Sequence, residues 1–150
     1  MAAICWENNL SKSQKLDERD EKCMNERYER GWNRLKEVDG EQGERVINSL
    51  QNIAPDLGRF VIEFAFGDIY TRPGLDLKQR QLVTLSSLIT MGGCEPQLEV
   101  HVNAALNVGL SPREIVETVI HCAPYTGFPR VLNAIRVVQG VFERRGVKPE

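Results

Sequence analysis

Residues 72–129 read RPGLDLKQRQLVTLSSLITMGGCEPQLEVHVNAALNVGLSPREIVETVIHCAPYTGFP and hold the chain's only two histidines, His101 and His121. Three helical patterns follow one another here, each bounded by residues with a backbone reason to be there. Pro73-Gly74 marks a turn, and Asp76 is placed to cap a helix from about Leu77 to Met91. Leu82, Leu85, Leu88 and Ile89 surround that segment, so it is expected to be the most buried helix of the fold. Arg80, Thr84 and Ser87 share one small, polar strip, where a ligand or another helix can approach; in the second case Arg80 would pair with an acid. Gly92-Gly93 breaks the helix, and Cys94-Glu95-Pro96 opens the next, since proline is tolerated in a first turn. Leu98, Val102 and Ala105 mark its inward stripe, and His101 projects from that stripe. The junction around Gly92-Gly93 is therefore the expected site. Gly109 closes this helix, and Ser111-Pro112-Arg113-Glu114 is a capping box that starts a third. Ile115, Val119 and Cys122 line its buried face, with His121 on the polar side. It is expected to stop at Pro124, with residues 125–129 forming a turn.

Outward from this stretch the pattern stays helical. Tyr28, Trp32, Leu35 and Val38 recur at helical spacing in a charged background, which predicts an amphipathic helix from about Glu21 to Val38, ended by Asp39-Gly40. A short helix from Glu41 to Ile53 carries Val46, Ile47 and Leu50. Pro55-Asp56 then starts another that is expected to bury Leu57, Phe60, Val61 and Phe64. Phe66, Ile69 and Tyr70 extend its apolar surface further than one small core absorbs, so part of that surface is expected between subunits. A last helix from about Arg130 to Arg144 turns Val131, Ile135, Val138 and Phe142 inward before Gly146 and a frayed tail at 147–150. No stretch reads as a strand. The result is an all-α single domain of six to seven helices over residues 21–146, behind a flexible segment at 1–20.

Composition narrows the function classes. A net charge of -2 across 150 residues gives no electrostatic footprint for nucleic acid. Lys12 to Arg45 carries 19 of the 40 charged residues with both signs mixed, the composition of a solvated helix face. No apolar run approaches the roughly 20 residues that span a bilayer, so a cytoplasmic protein with no membrane partner is expected. Cys5, Cys23, Cys94 and Cys122 form neither a Cys-x-x-Cys pair nor a metal-ligand pattern, so free thiols and no metal site are expected.

Several short motifs occur in a fixed order: Phe64-Ala65-Phe66-Gly67, Arg72-Pro73-Gly74-Leu75, Lys78-Gln79-Arg80, Glu95-Pro96-Gln97-Leu98 with His101, Asn107-Val108-Gly109, and Tyr125-Thr126-Gly127-Phe128-Pro129. Through them the chain resembles the carboxymuconolactone decarboxylase family from about Gly43 to Phe142. The resemblance implies an all-helical bundle, shared with alkylhydroperoxidase D-like proteins, that assembles into trimeric or hexameric rings and uses no metal or organic cofactor. One branch of that group performs thiol redox chemistry with a Cys-x-x-Cys and a histidine four residues later. Here Cys94 and His101 match, but Gln97 stands at the second cysteine, and a dithiol catalyst needs a resolving thiol within reach.

The other branch decarboxylates a small unsaturated lactone bearing carboxylates, a step of aromatic acid catabolism. Loss of carbon dioxide leaves an electron pair delocalised into the lactone carbonyl, and a ring carbon must then be protonated. Such a site needs a cation for a carboxylate, donors where negative charge develops, and an acid near neutral pKa. Arg80 suits the first by its planar fork and His101 the last by its ordinary pKa. Glu95 is placed to orient either of them. Arg72 is a second candidate anion holder, Tyr125 a donor to the lactone oxygen, and Cys94 a further substrate-lining residue at a helix N-terminus. The expected activity is a cofactor-free decarboxylase acting on a small carboxylated ring. A thiol-dependent peroxidase acting through Cys94 and a non-catalytic ring-forming binding protein are the alternatives.

Overall fold

The computed structural model describes residues 22–149, and among these the chain is entirely helix and connection, with no strand. The expectations for residues 1–20 and for Glu21 lie outside the described residues. Helix α1 covers 22–38, α2 Gly40–Leu50, α3 Pro55–Phe60 (continuing into a π-helical segment Val61–Ile69), α4 Leu77–Met91, α5 Glu95–Asn107, α6 Pro112–Thr126 and α7 Phe128–Arg145.

Helices α4 to α7 form one bundle, in which α4 packs on α5 and α6, and α7 on the same two. Their shared core holds Leu85, Ile89, Leu98, Val102, Ala105, Ile115, Val119, Val138 and Val141, all nearly inaccessible to water. Burying each large aliphatic side chain contributes about 1.5–3 kcal/mol. A second cluster gathers Leu35, Val38, Ile47, Ile62 and Phe66 from α1 to the π-helical segment, and it meets α5 at Ala104. Ala104 and Ala105 thus face different clusters, so α5 lies in the seam between them. Asn107 Nδ2 donates to the Val38 carbonyl at 3.2 Å and ties the end of α5 to the end of α1.

The caps form as the sequence dictates. Asp76 accepts from the Gln79 N–H while Gln79 returns a bond to the Asp76 N–H, and Ser111 with Glu114 does the same at α6. Leu98, Val102 and Ala105 are buried on α5 as their spacing requires.

Elsewhere the structure corrects the periodicity. The stripe Leu57, Phe60 and Phe64 points outward, with Phe60 62% exposed, while Ile62 and Phe66 point in. The inward face is chosen by glycines. A Cβ on Gly31 of α1 would fall on the Ile62 carbonyl, and one on Gly67 would come within 2.9 Å of the Arg27 carbonyl, so the two backbones meet where hydropathy carries no signal. Glu63 is consequently buried, and Arg59 and Arg27 neutralise it at 2.6 and 3.4 Å. Helix α4 is not the most buried: Gln81, Leu85 and Ile89 are its buried residues, against five on α5, and Val83 and Met91 face solvent. Helix α2 ends at Leu50 rather than Ile53. Helix α6 continues through Pro124 to Thr126, and Gly127 alone (φ 78°) turns the chain into α7, which starts at Phe128. At the far end Val147 donates its N–H to the Phe142 carbonyl at 3.1 Å and packs on the bundle, so the tail is docked there rather than frayed.

Candidate functional site

Three elements converge where the two cores meet: the end of the π-helical segment supplies Tyr70, α4 supplies Arg80, Gln81 and Thr84, and α5 supplies His101. His101 Nδ1 lies 3.2 Å from Gln81 Oε1. Gln81 is inaccessible to water, and its Nε2 donates to the Tyr70 hydroxyl at 3.3 Å. That hydroxyl lies 3.1 Å from Thr84 Oγ1, which donates to the Arg80 carbonyl at 2.9 Å. A continuous hydrogen-bonded chain therefore runs from the imidazole to the backbone of α4.

Electrostatics alter the reading of His101. Burial pushes the imidazole down to about 4, so at neutral pH it is uncharged in the free chain rather than an acid near neutrality. The Tyr70 phenol is pushed up, chiefly by burial, with the Asp39 charge adding to the rise and the Thr84 bond, the Arg80 charge and the Gln81 bond opposing it. Asp39 and Arg80 thus both act on the same phenol. Asp39 is 6% exposed, one of its carboxyl oxygens has no partner, and burial pushes the carboxyl up to about 7.

Arg80 donates through Nη2 to the Arg72 carbonyl at 2.6 Å, and its Nε is buried without a partner. Among the described residues no carboxylate lies within ion-pair distance of it, so the acid partner that the helix-packing alternative called for is not found there. The Arg72 side chain is exposed, and its backbone is what holds Arg80.

The remaining sequence candidates sit apart from this chain. Cys94 and Glu95 line a cavity of about 260 Å³ with Leu88, Gly92, Arg130 and Asn133, and neither His101 nor Arg80 lines it. Cys94 Sγ approaches the Gly92 carbonyl at 3.5 Å. Glu95 hydrogen-bonds neither His101 nor Arg80 among the described residues. Tyr125 is 77% exposed and stacks at an angle on the exposed His121, with ring centroids 5.7 Å apart. Cys23, Cys94 and Cys122 are free thiols, and Cys122 is buried in the bundle core. Among the described residues no group of three His, Cys, Asp or Glu side chains could hold a metal ion. No helix there is long and apolar enough to cross a membrane.

Sequence reasoning missed Gln81 and Asp39. Gln81 stands four residues before Leu85 and eight before Ile89, so a glutamine on the buried stripe was the available signal. Asp39 precedes Gly40 and reads as a turn residue, which hid its burial.

The fold and this polar seam define a class: a small all-helical domain that keeps, at the junction of two packed cores, a histidine and an arginine with no carboxylate partner among the described residues. Comparison with known proteins makes the class specific. The profile of the Carboxymuconolactone decarboxylase family matches residues 55–140, and the chain belongs to that family. It is 34% identical over 126 residues to 4-carboxymuconolactone decarboxylase of Acinetobacter baylyi, covering 83% of this chain and 93% of that one. It is also 38% identical over 117 residues to nitrosuccinic acid decarboxylase npaB of Metarhizium robertsii, covering 75% of this chain and 78% of the relative.

Proposed function

We propose that the protein is a cofactor-free decarboxylase of a small carboxylated compound whose departing electron pair is delocalised into an adjacent acceptor. A 4-carboxymuconolactone-like ring, giving a 3-oxoadipate enol-lactone-like product in aromatic acid catabolism, is the leading candidate. The two relatives are named for 4-carboxymuconolactone and nitrosuccinic acid, and an unsaturated lactone carbonyl or a nitro group is a chemically competent acceptor for such a pair. The observation that carries the reading is an Arg80 that has no carboxylate partner among the described residues and stands next in sequence to the residue that binds His101.

Arg80 holds a substrate carboxylate by charge-assisted hydrogen bonds. The carbon–carbon bond to the departing carboxylate breaks, carbon dioxide leaves, and its electron pair moves into the acceptor. His101 then protonates a carbon of the delocalised anion, in the lactone the ring carbon next to the carbonyl. It is uncharged in the free chain, but an anion bound beside it favours the imidazolium, so the proton enters with the substrate. Arg72, Cys94, Glu95 and Tyr125 keep supporting places as candidates for substrate contact or orientation.

The reading includes a symmetric ring, a trimer or hexamer, acting in the cytoplasm, where its free thiols suit a reducing environment. The outward strip of Leu57, Phe60 and Phe64 supports the ring, because so large an apolar surface is unusual on a monomer. Crystals soaked with lactone carboxylates and nitrosuccinate test the site: density bridging Arg80 and His101 is expected, and density only in the Cys94–Glu95 cavity would refute the assignment.

A further inference from the structure

Counting hydrogens along the seam fixes the direction of every bond in it. The Thr84 hydroxyl has one hydrogen, and it is given to the Arg80 carbonyl. Tyr70 must then donate to Thr84 Oγ1, and its oxygen is left to accept from the Gln81 amide. The Gln81 nitrogen therefore faces Tyr70, and Gln81 Oε1 faces the imidazole. An amide oxygen only accepts, so the histidine nitrogen at 3.2 Å carries the proton.

We propose that Gln81 is the positioning residue of this site: it holds His101 protonated at Nδ1 and leaves Nε2 as the single nitrogen that takes up and delivers the proton. What Nε2 meets rests on the decarboxylase reading above; the tautomer itself does not. With substrate bound, a solvent proton adds to Nε2. After carbon dioxide leaves, the Nε2–H bond breaks as the carbon–hydrogen bond forms, and the ring returns to its Nδ1-protonated form. A ring free to change tautomer would present a hydrogen at Nε2 before substrate arrives and lose its orientation. Because Gln81 is uncharged, the site stays neutral behind the ring, which agrees with burial alone depressing the imidazole.

Heteronuclear NMR of the histidine ring nitrogens tests this in the free protein at pH 7, with His121→Gln identifying the His101 signals. The native protein should show protonated Nδ1 and bare Nε2. Gln81→Met should give mixed tautomers, with kcat reduced about tenfold or more and KM changed by less than about threefold. Gln81→Glu, which keeps an acceptor at the same reach, should keep the Nδ1-protonated ring. Should Gln81→Met fail to fold, Tyr70→Phe frees the amide to flip and should also give mixed tautomers. A native ring protonated at Nε2, or a folded Gln81→Met ring unchanged from native, would overturn the proposal. Carbon dioxide release is read separately, so an inactive protein with the expected tautomer refutes the decarboxylase reading alone.

Discussion

Replacing Asp39 by asparagine should stabilise the protein at neutral and alkaline pH and do almost nothing in acid. The carboxyl is buried at the α1–α2 junction with an unpartnered oxygen, and its pKa is raised from 3.8 to about 7. Below pH 3.8 the group is protonated whether the chain is folded or not, and it carries no penalty. Between 3.8 and about 7 the folded state binds the extra proton, so stability falls as pH rises. At about 1.4 kcal/mol per tenfold change in proton affinity, the accumulated penalty above pH 7 is about 4 kcal/mol. Asparagine keeps the shape without the charge, so about 2–4 kcal/mol should return at pH 8 and roughly none at pH 4. His101 works in the opposite sense. Its pKa falls from 6.5 to about 4, so stability is complete above 6.5 and is lost as pH drops toward 4. In the native chain the two trends offset each other across this window, and Asp39→Asn should expose the histidine's rise. Urea unfolding followed by circular dichroism, at fixed protein concentration and several pH values from 4 to 8, gives the difference directly. A change that is the same at every pH, or a loss of stability at pH 8, would refute the reasoning.

Arg80→Met should weaken substrate binding and turnover together, since the carboxylate loses its partner in ground and transition states alike; kcat and KM read the two effects, and an unchanged KM would remove Arg80 from the binding role. Cys94→Ser should leave decarboxylation within about twofold of native, and the denatured, unreduced protein should titrate as four thiols. Robust peroxide turnover abolished by that substitution would instead assign thiol chemistry. Light scattering should return a species larger than a dimer for the native protein, with Phe60→Glu shifting it toward smaller species because Phe60 lies on the outward apolar strip; a native monomer at micromolar concentration would remove the interface argument.

Much of the fold was legible because its signals are local. The capping boxes at Asp76 and Ser111 and the glycines at 92 and 109 act through the backbone within a few residues, and those boundaries emerged where the sequence puts them. The orientation of α3 and the π-helical segment was not legible. Hydropathy sees Leu57, Phe60 and Phe64 as a core stripe, while the deciding contact is backbone against backbone at Gly31 and Gly67. Pro124 misled as well, because α6 continues through a residue that local chemistry reads as its end. At the site, residue type pointed to Arg80 and His101, and the polar strip to Thr84, without showing that Tyr70 and Gln81 join them. Gln81, Tyr70 and Thr84 come together only when π-helical segment, α4 and α5 pack, and the loss of charge on His101 follows from that burial.

The central claim is that His101 delivers the proton that ends the reaction, to a carbon of the delocalised anion left when carbon dioxide departs (in the lactone, the ring carbon next to the carbonyl). Its most direct measurement is carbon dioxide release from a panel of lactone carboxylates and nitrosuccinate by native protein and His101→Asn, with circular dichroism confirming the fold. At least one panel member should be decarboxylated by the native protein, and His101→Asn should turn it over about a hundredfold more slowly while still binding it. A folded His101→Asn protein that releases carbon dioxide and forms the protonated product at the native rate would contradict the account.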